Sequence, residues 1–218
     1  VRAGQAFNWN GYHIGVLALN TDPGALGGGL AEFEVATVAS LSPGRATARR
    51  TGGADRRLRV PHAIRRITLH HSGSAEPLTP DEDPTERLRN LQQWGAEARN
   101  WWDVPYHYLI GLDGTVYEGR DARYAGETNT TYDPRGHLLV SVLGNYDKQE
   151  PTPAQIDAIA DLMAWIAAAH DVPLDRIGGH SDWADTSCPG VHLQPFLDNG
   201  TFVEAVKERL SGGTGWTP

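Results

Sequence analysis

The chain has one cysteine, Cys188, in 218 residues. An internal disulfide is therefore excluded, and cysteine usage says nothing about the redox compartment. No run approaches the ~18 consecutive apolar residues that a transmembrane helix needs. Positive charge is also scarce: 19 basic residues face 27 acidic ones, for a net charge of −8. That balance excludes a nucleic-acid binder relying on a broad basic surface. It equally excludes a general electrostatic pull towards anionic polymers or membranes. No basic stretch followed by an apolar run marks a targeting signal, and the chain opens on Val1. We expect a secreted protein trimmed from a longer chain.

What is present describes an ordinary globular protein, 39% apolar and 21% charged, large enough to bury a core without cross-links. Two strand-like runs, "YHIGVLALN" (12–20) and "AEFEVATVASL" (31–41), flank a Gly/Pro-rich stretch and predict a β-hairpin with a long loop. Residues 42–60, rich in Arg and Gly, read as a linker. Compact sequence begins near Pro61. "AIRRITLHHS" (63–72) reads as a strand ending in two histidines, and 84–102 reads as a helix. Residues 106–119 read as a hairpin turning at Asp113-Gly114, and "HLLVSVLGNY" (137–146) reads as a central strand.

Residues 152–170 form the clearest helix, with Thr152 as N-cap, Pro153 at the first position and Gln155 completing a capping box. Its stripe of Ile156, Ile159, Met163 and Ile166 faces a core. A last helix over 201–210 takes Thr201 and Glu204 as its capping pair. The tail "SGGTGWTP" resembles a linker. The organisation expected is an N-terminal extension and linker over 1–60, a catalytic domain over 61–211, and a tail over 212–218.

Nine histidines are present. His13, His62, His137, His170 and His192 have no local partner pattern and read as structural or exposed. His70-His71 differ, because neighbours on a strand point to opposite faces and only one can line a pocket. His180 follows Gly178-Gly179, where the backbone can approach closely. Cys188 precedes Pro189-Gly190. By spacing alone Cys188 is a small buried hydrophobe, a reactive thiol or a metal ligand. Two imidazoles and one thiolate suit a zinc ion with an open fourth position, which acidifies water towards neutral pH.

The string His180 … Thr186-Ser187-Cys188-Pro189-Gly190 resembles the C-terminal motif of the type 2 N-acetylmuramoyl-L-alanine amidases and peptidoglycan recognition proteins. "ITLHHS", "WWDVPYHYLIGLDGTVYEGRD", "SVLGNYD", "TPAQIDAIADLMAWI" and "IGGHSDW" resemble the rest of that domain in order, over roughly 62–210. The resemblance implies an α/β fold, a central mixed β-sheet flanked by helices, here with the N-terminal hairpin added. It implies zinc held by His70, His180 and Cys188, with the first rather than the second histidine of the pair as ligand. Tyr106 matches the catalytic tyrosine, and Thr186 the position where active relatives carry Lys or Thr. The implied reaction hydrolyses the amide between N-acetylmuramic acid and L-alanine of the stem peptide.

The implied partner is peptidoglycan or a muropeptide, with no nucleic acid and no membrane insertion. A secreted or wall-associated monomer is expected, of bacterial or phage-lysin origin. One departure is local: many relatives carry Asn-x-x-Ser-Ile-Gly before the post-hairpin strand, and this chain has "YDPRGHLLVSV". His107 reads as a packing group. Of Trp94, Trp101 and Trp102, two are expected in the core. Arg120 and Arg123 read as solvated surface. Two other functions compete: a binding module without hydrolysis, disfavoured by Cys188 and Tyr106 together, and a cysteine hydrolase, disfavoured by Pro189 and by two zinc-type histidines.

Overall fold

The run Arg66–His71 is strand β4 and His137–Val142 is strand β7. They lie parallel, in register from Arg66↔His137 to His71↔Val142. Both are buried along almost their whole length, as strands covered on both faces are. The structure, a computed structural model, describes residues 59–211 together with the backbone of three short strands before them. These are β1 (Ala6–Trp9), β2 (Tyr12–Gly15) and β3 (Ala36–Thr37).

Strand β5 (Tyr108–Ile110) runs parallel to β7 and antiparallel to β6 (Val116–Glu118). The turn between β5 and β6 uses Gly114 at φ 85°, a left-handed geometry that glycine adopts without strain. Strand β8 (Ile177–Gly179) flanks β4 in parallel. The sheet order is β3-β6-β5-β7-β4-β8, a mixed sheet.

The N-terminal pairing differs from the expected one. The hairpin joins β1 to β2, whereas Ala36–Thr37 of the second run extends the main sheet beside β6. Residues 16–35, 38–58 and the tail from 212 lie outside the described residues.

Helix α1 spans Pro84–Arg99, capped by the Asp83 carboxylate, which accepts from the Thr85 N–H at 2.8 Å. Helix α2 spans Pro153–His170, and both bonds of its Thr152/Gln155 capping box are formed. Ile159, Met163 and Ile166 of α2 enter the main core with Ile67, Leu69, Val140 and Val142. Short α3 (Gln194–Asp198) leads into α4 (Thr201–Leu210), whose Phe202 and Val206 join the same core. Gly200, not Thr201, caps α4. Thr201 already stands inside the first turn, where its N–H donates to the Asn199 side chain.

On the opposite face Leu88, Leu109, Val104 and Leu143 form a second, smaller core. Alternation along β4 thus sends Ile67 and Leu69 to the α2 side, and Thr68 and His70 to the other.

Glu118 stands across from Tyr108 at the edge of this arrangement. Its Oε2 is buried without a hydrogen-bond partner among the described residues. Burial, reinforced by the Asp121 carboxylate, pushes its pKa up to about 7. A raised carboxyl favours the folded state fully below its ordinary pKa of ~4.3, and that contribution is lost as pH rises through the folded value. Glu118→Gln is therefore expected to melt above wild type at about pH 8 and together with it at about pH 4, as read by thermal denaturation in the two buffers.

Candidate metal centre

Three chain segments converge at the C-terminal end of β4. His70 comes from the strand itself. His180 opens a 3-10 turn directly after β8. Cys188 comes from the loop that follows. Gly179 permits the approach: a Cβ there would stand 3.0 Å from Pro189 Cδ and collide with the Gln194 amide. Gly190, at φ 109°, turns the chain beneath Tyr146, whose carbonyl carbon would lie 2.5 Å from any added Cβ. Asp182 fastens the turn after His180 by accepting from the Gly179 N–H at 2.8 Å.

His70, His180 and Cys188 are all buried, and their potential ligand atoms lie within 4.8 Å of one another. Cys188 Sγ is 3.6 Å from His70 Nδ1. Two donors bound to one tetrahedral ion at ~2.0–2.3 Å stand about 3.5 Å apart. His180 Nδ1 is buried with no hydrogen-bond partner among the described residues. An orphaned imidazole nitrogen beside a thiol and a second imidazole is the donor set of a soft divalent ion. The residues fit a metal.

Burial holds His70 well below its ordinary pKa, reinforced by the neighbouring His180, and lowers His180 to about 4. Both imidazoles are thus neutral, the form that ligates. Burial pushes the Cys188 thiol up to about 12, partly offset by the His71 N–H that donates to its sulfur at 3.3 Å. A nucleophilic cysteine requires the opposite shift; a cation in the pocket is what would stabilise this thiolate. His71 takes no part in the trio. Its ring lies on the other face, where Nδ1 accepts from the Tyr146 N–H at 3.1 Å.

Tyr106 flanks the trio, its ring 5.2 Å from that of His70. Its hydroxyl donates to the His71 carbonyl over a long 3.3 Å. Burial, with Cys188 and Tyr132 nearby, holds the phenol far above its ordinary pKa, so it stays protonated. Thr186 Oγ1 accepts from the Cys188 N–H at 3.2 Å, which orients the loop carrying the sulfur.

Arg120 corrects the sequence reading. It is 1% exposed, and its guanidinium donates to the carbonyls of Asp103, Val104 and Ala125. It also pairs with Glu127 at 3.4 Å and lies 4.8 Å over the Trp102 ring. It therefore clamps the segment leading to Tyr106 against the loop that follows β6. Arg123 is exposed and pairs with Asp121, as a surface residue does. His107 is a packing group: its ring binds the Tyr124 carbonyl and the Leu139 N–H. Trp94 is exposed, while Trp101 and Trp102 are partly covered.

Sequence reasoning passed over Thr130 and Tyr132. Thr130 Oγ1 lies 2.8 Å from His180 Nε2, and the Tyr132 hydroxyl lies 3.4 Å from His70 Nε2. No spacing rule marks them. For Tyr132 the only signal was that it opens the stretch departing from the pattern the chain otherwise resembles; Thr130 had none.

A family model described as N-acetylmuramoyl-L-alanine amidase matches residues 60–191. The chain belongs to this family. A human protein named N-acetylmuramoyl-L-alanine amidase is 29% identical over 147 residues, covering 66% of this chain and 25% of that protein. Peptidoglycan-recognition protein SC2 of Drosophila simulans is 33% identical over 108 residues, covering 49% of this chain and 58% of its own length. The chain thus spans between a quarter and three-fifths of these two curated relatives. Among solved structures, Drosophila peptidoglycan recognition protein SD aligns with a TM-score of 0.63 at 24% identity, covering 77% of this chain and 94% of that one. That likeness is one of fold.

The two histidines of the pair are expected to separate experimentally. His71→Ala leaves a buried N–H unsatisfied and should cost about 1–3 kcal/mol of stability, yet keep one cobalt(II) ion with its thiolate absorption. His70→Ala should lose that absorption. Cobalt titration beside chemical denaturation checks both.

Proposed function

We propose that the chain is a zinc-dependent N-acetylmuramoyl-L-alanine amidase, with its catalytic unit in residues 61–211 and residues 1–60 as an extension. The single observation that carries this reading is the buried trio of His70, His180 and Cys188 beside a protonated tyrosine. Bound by those three side chains, zinc would supply Lewis acidity, polarising the scissile carbonyl and acidifying water near neutral pH.

The chain's own groups do the rest. The neutral imidazoles of His70 and His180 and the Cys188 thiolate would hold the ion. Tyr106 exchanges its long bond to the His71 carbonyl for the oxygen on which negative charge develops. A buried phenol that stays protonated is a donor for that charge, worth ~10²–10³ in rate for a single such contact. Thr186, which accepts from the Cys188 N–H, still has a hydroxyl proton to give to the substrate. Arg120 keeps Tyr106 in place from behind. The substrate is the amide joining the lactyl group of N-acetylmuramic acid to L-alanine.

Family membership and relatives named for peptidoglycan recognition support a wall-directed chain that works outside the cell, in the secreted or wall-bound state. No described helix is long and apolar enough to cross a membrane.

Metal analysis of the purified protein is expected to find one zinc per chain, and digestion of purified peptidoglycan to release stem peptides with a new L-alanine N-terminus. Cys188→Ser should lose both. A folded wild type that binds wall fragments without cutting them would overturn the amidase reading in favour of a recognition module. Separately, Tyr106→Phe should keep its zinc and fall by ~10²–10³ in kcat with KM little changed.

A further inference from the structure

One short loop segment, Thr128–Tyr132, touches the outer nitrogen of both histidines in the trio. Thr130 Oγ1 meets His180 Nε2 at 2.8 Å. Thr128 Oγ1 also reaches His180 Nε2, at a longer 3.5 Å, and lies 2.7 Å from Thr130 Oγ1 while accepting from the Thr130 N–H at 3.1 Å. The Tyr132 hydroxyl meets His70 Nε2 at 3.4 Å, while the Tyr132 ring packs 5.1 Å from that of His180. A single tyrosine therefore contacts both imidazoles, one through its oxygen and one through its face.

The segment is held at both ends. The Glu127 N–H donates to the Pro105 carbonyl at 3.1 Å, next to Tyr106. At the far end the Gly136 N–H donates to His62 Nδ1 at 2.9 Å, and the Gly136 carbonyl accepts from the N–H groups of Arg65 and Arg66 at the start of β4. Tyr132 is backed by His137, 5.2 Å away, whose own Nδ1 is bonded to Thr68 at 2.8 Å.

A neutral imidazole carries one N–H and one lone pair. Whichever nitrogen is held by an acceptor keeps the proton, and the lone pair is left on the other. Thr130 Oγ1 and the Tyr132 oxygen lie on the two Nε2 atoms, and a hydroxyl can either donate or accept; in the accepting role each would hold the proton on Nε2. The lone pairs are then left on the Nδ1 atoms, which are the atoms that face Cys188 and the orphaned position in the pocket.

We propose that Thr130 and Tyr132 are positioning residues that lock His180 and His70 in the Nε2–H tautomer, so that this one loop sets the affinity of the metal centre. The inference rests on the reading of the trio as a zinc site. Of the two residues, Tyr132 opens the stretch in which the chain departs from the pattern it otherwise resembles, and Thr130 lies two positions before it.

Three measurements test it. Zinc dissociation constants are measured by chelator competition for wild type, Thr130→Val, Thr130→Ser and Tyr132→Phe. Loss of the hydroxyl at 130 should weaken binding by about 10–100-fold, with Tyr132→Phe at or below the lower end because its bond is longer. Thr130→Ser should return the affinity to near wild type. Melting of the metal-stripped variants should stay at the wild-type temperature, which a merely structural role would not allow. Independently of any variant, nitrogen-15 spectra of the metal-stripped wild type should show the Nε2–H tautomer at both His70 and His180. Unchanged zinc affinity in both Thr130→Val and Tyr132→Phe, or an Nδ1–H tautomer at either histidine, would overturn the lock while leaving the zinc reading intact. A wild type that takes up no zinc sinks the zinc reading and this inference with it.

Discussion

The parallel pairing of β4 between β7 and β8 is the constraint on which the rest of the molecule depends. It places the six residues of β4 inside the sheet, between two neighbours, and fixes which way each one points. Ile67 and Leu69 enter the main core under α2, and the burial of such side chains is worth about 1.5–3 kcal/mol each. A slip of one residue would put both on the wrong face. The apolar residues of β4 thereby decide that His70 emerges beside His180, and that His71 turns back to the Tyr146 backbone. The direction in which His70 points is enforced by residues that never touch the trio.

The polar face opposite that core has a cost that the loops offset. Buried imidazoles, a buried thiol and a buried guanidinium each lose hydration, and each is acceptable only with partners. Arg120 finds three backbone carbonyls and a carboxylate. His107 finds a carbonyl and an N–H. Cys188 Sγ receives the His71 N–H. In this company His180 Nδ1 stands out, because it is the one trio nitrogen without a protein partner among the described residues. The pocket is complete except for what an ion would supply. The same accounting bears on the thiol: its burial outweighs the one N–H, from His71, that favours its charged form.

The loops also divide the labour of orientation. The segment from Asp103 to Tyr106 is held by Arg120, which places the phenol. The segment from Thr128 to Tyr132 reaches the outer nitrogens of the histidines. The loop from Thr186 to Gly190 carries the sulfur and is tied by its own threonine. Each comes from a different connection at one end of the sheet, as is usual for sites built on open α/β sheets. The central layer and the separately fastened loops bring the candidate donor atoms within 4.8 Å of one another.

Much of this was legible from residue types and their order. The capping box at Thr152 and Gln155, the turn at Asp113-Gly114 and the apolar stripe of α2 are local signals, and each marks an element that the structure contains. The order of the motifs around His70, Tyr106, His180 and Cys188 pointed to the family and to the residues that meet. What local signals could not carry was anything that depends on which distant segments become neighbours. The expected capping pair of α4 failed because Gly200 turns the chain first. Among the described residues of the two N-terminal runs, Tyr12–Gly15 pairs with Ala6–Trp9 and Ala36–Thr37 with β6, partners that no local signal names. Arg120 looked like a surface residue because a charge is read as exposed unless its partners are known, and its partners are carbonyls from two other stretches. Thr130 and Tyr132 are ordinary residues in sequence. Their meaning arises only when the loop is folded over histidines 50 residues (Thr130 to His180) and 62 residues (Tyr132 to His70) away along the chain, since hydrogen bonds are decided by distance in space and not along the chain.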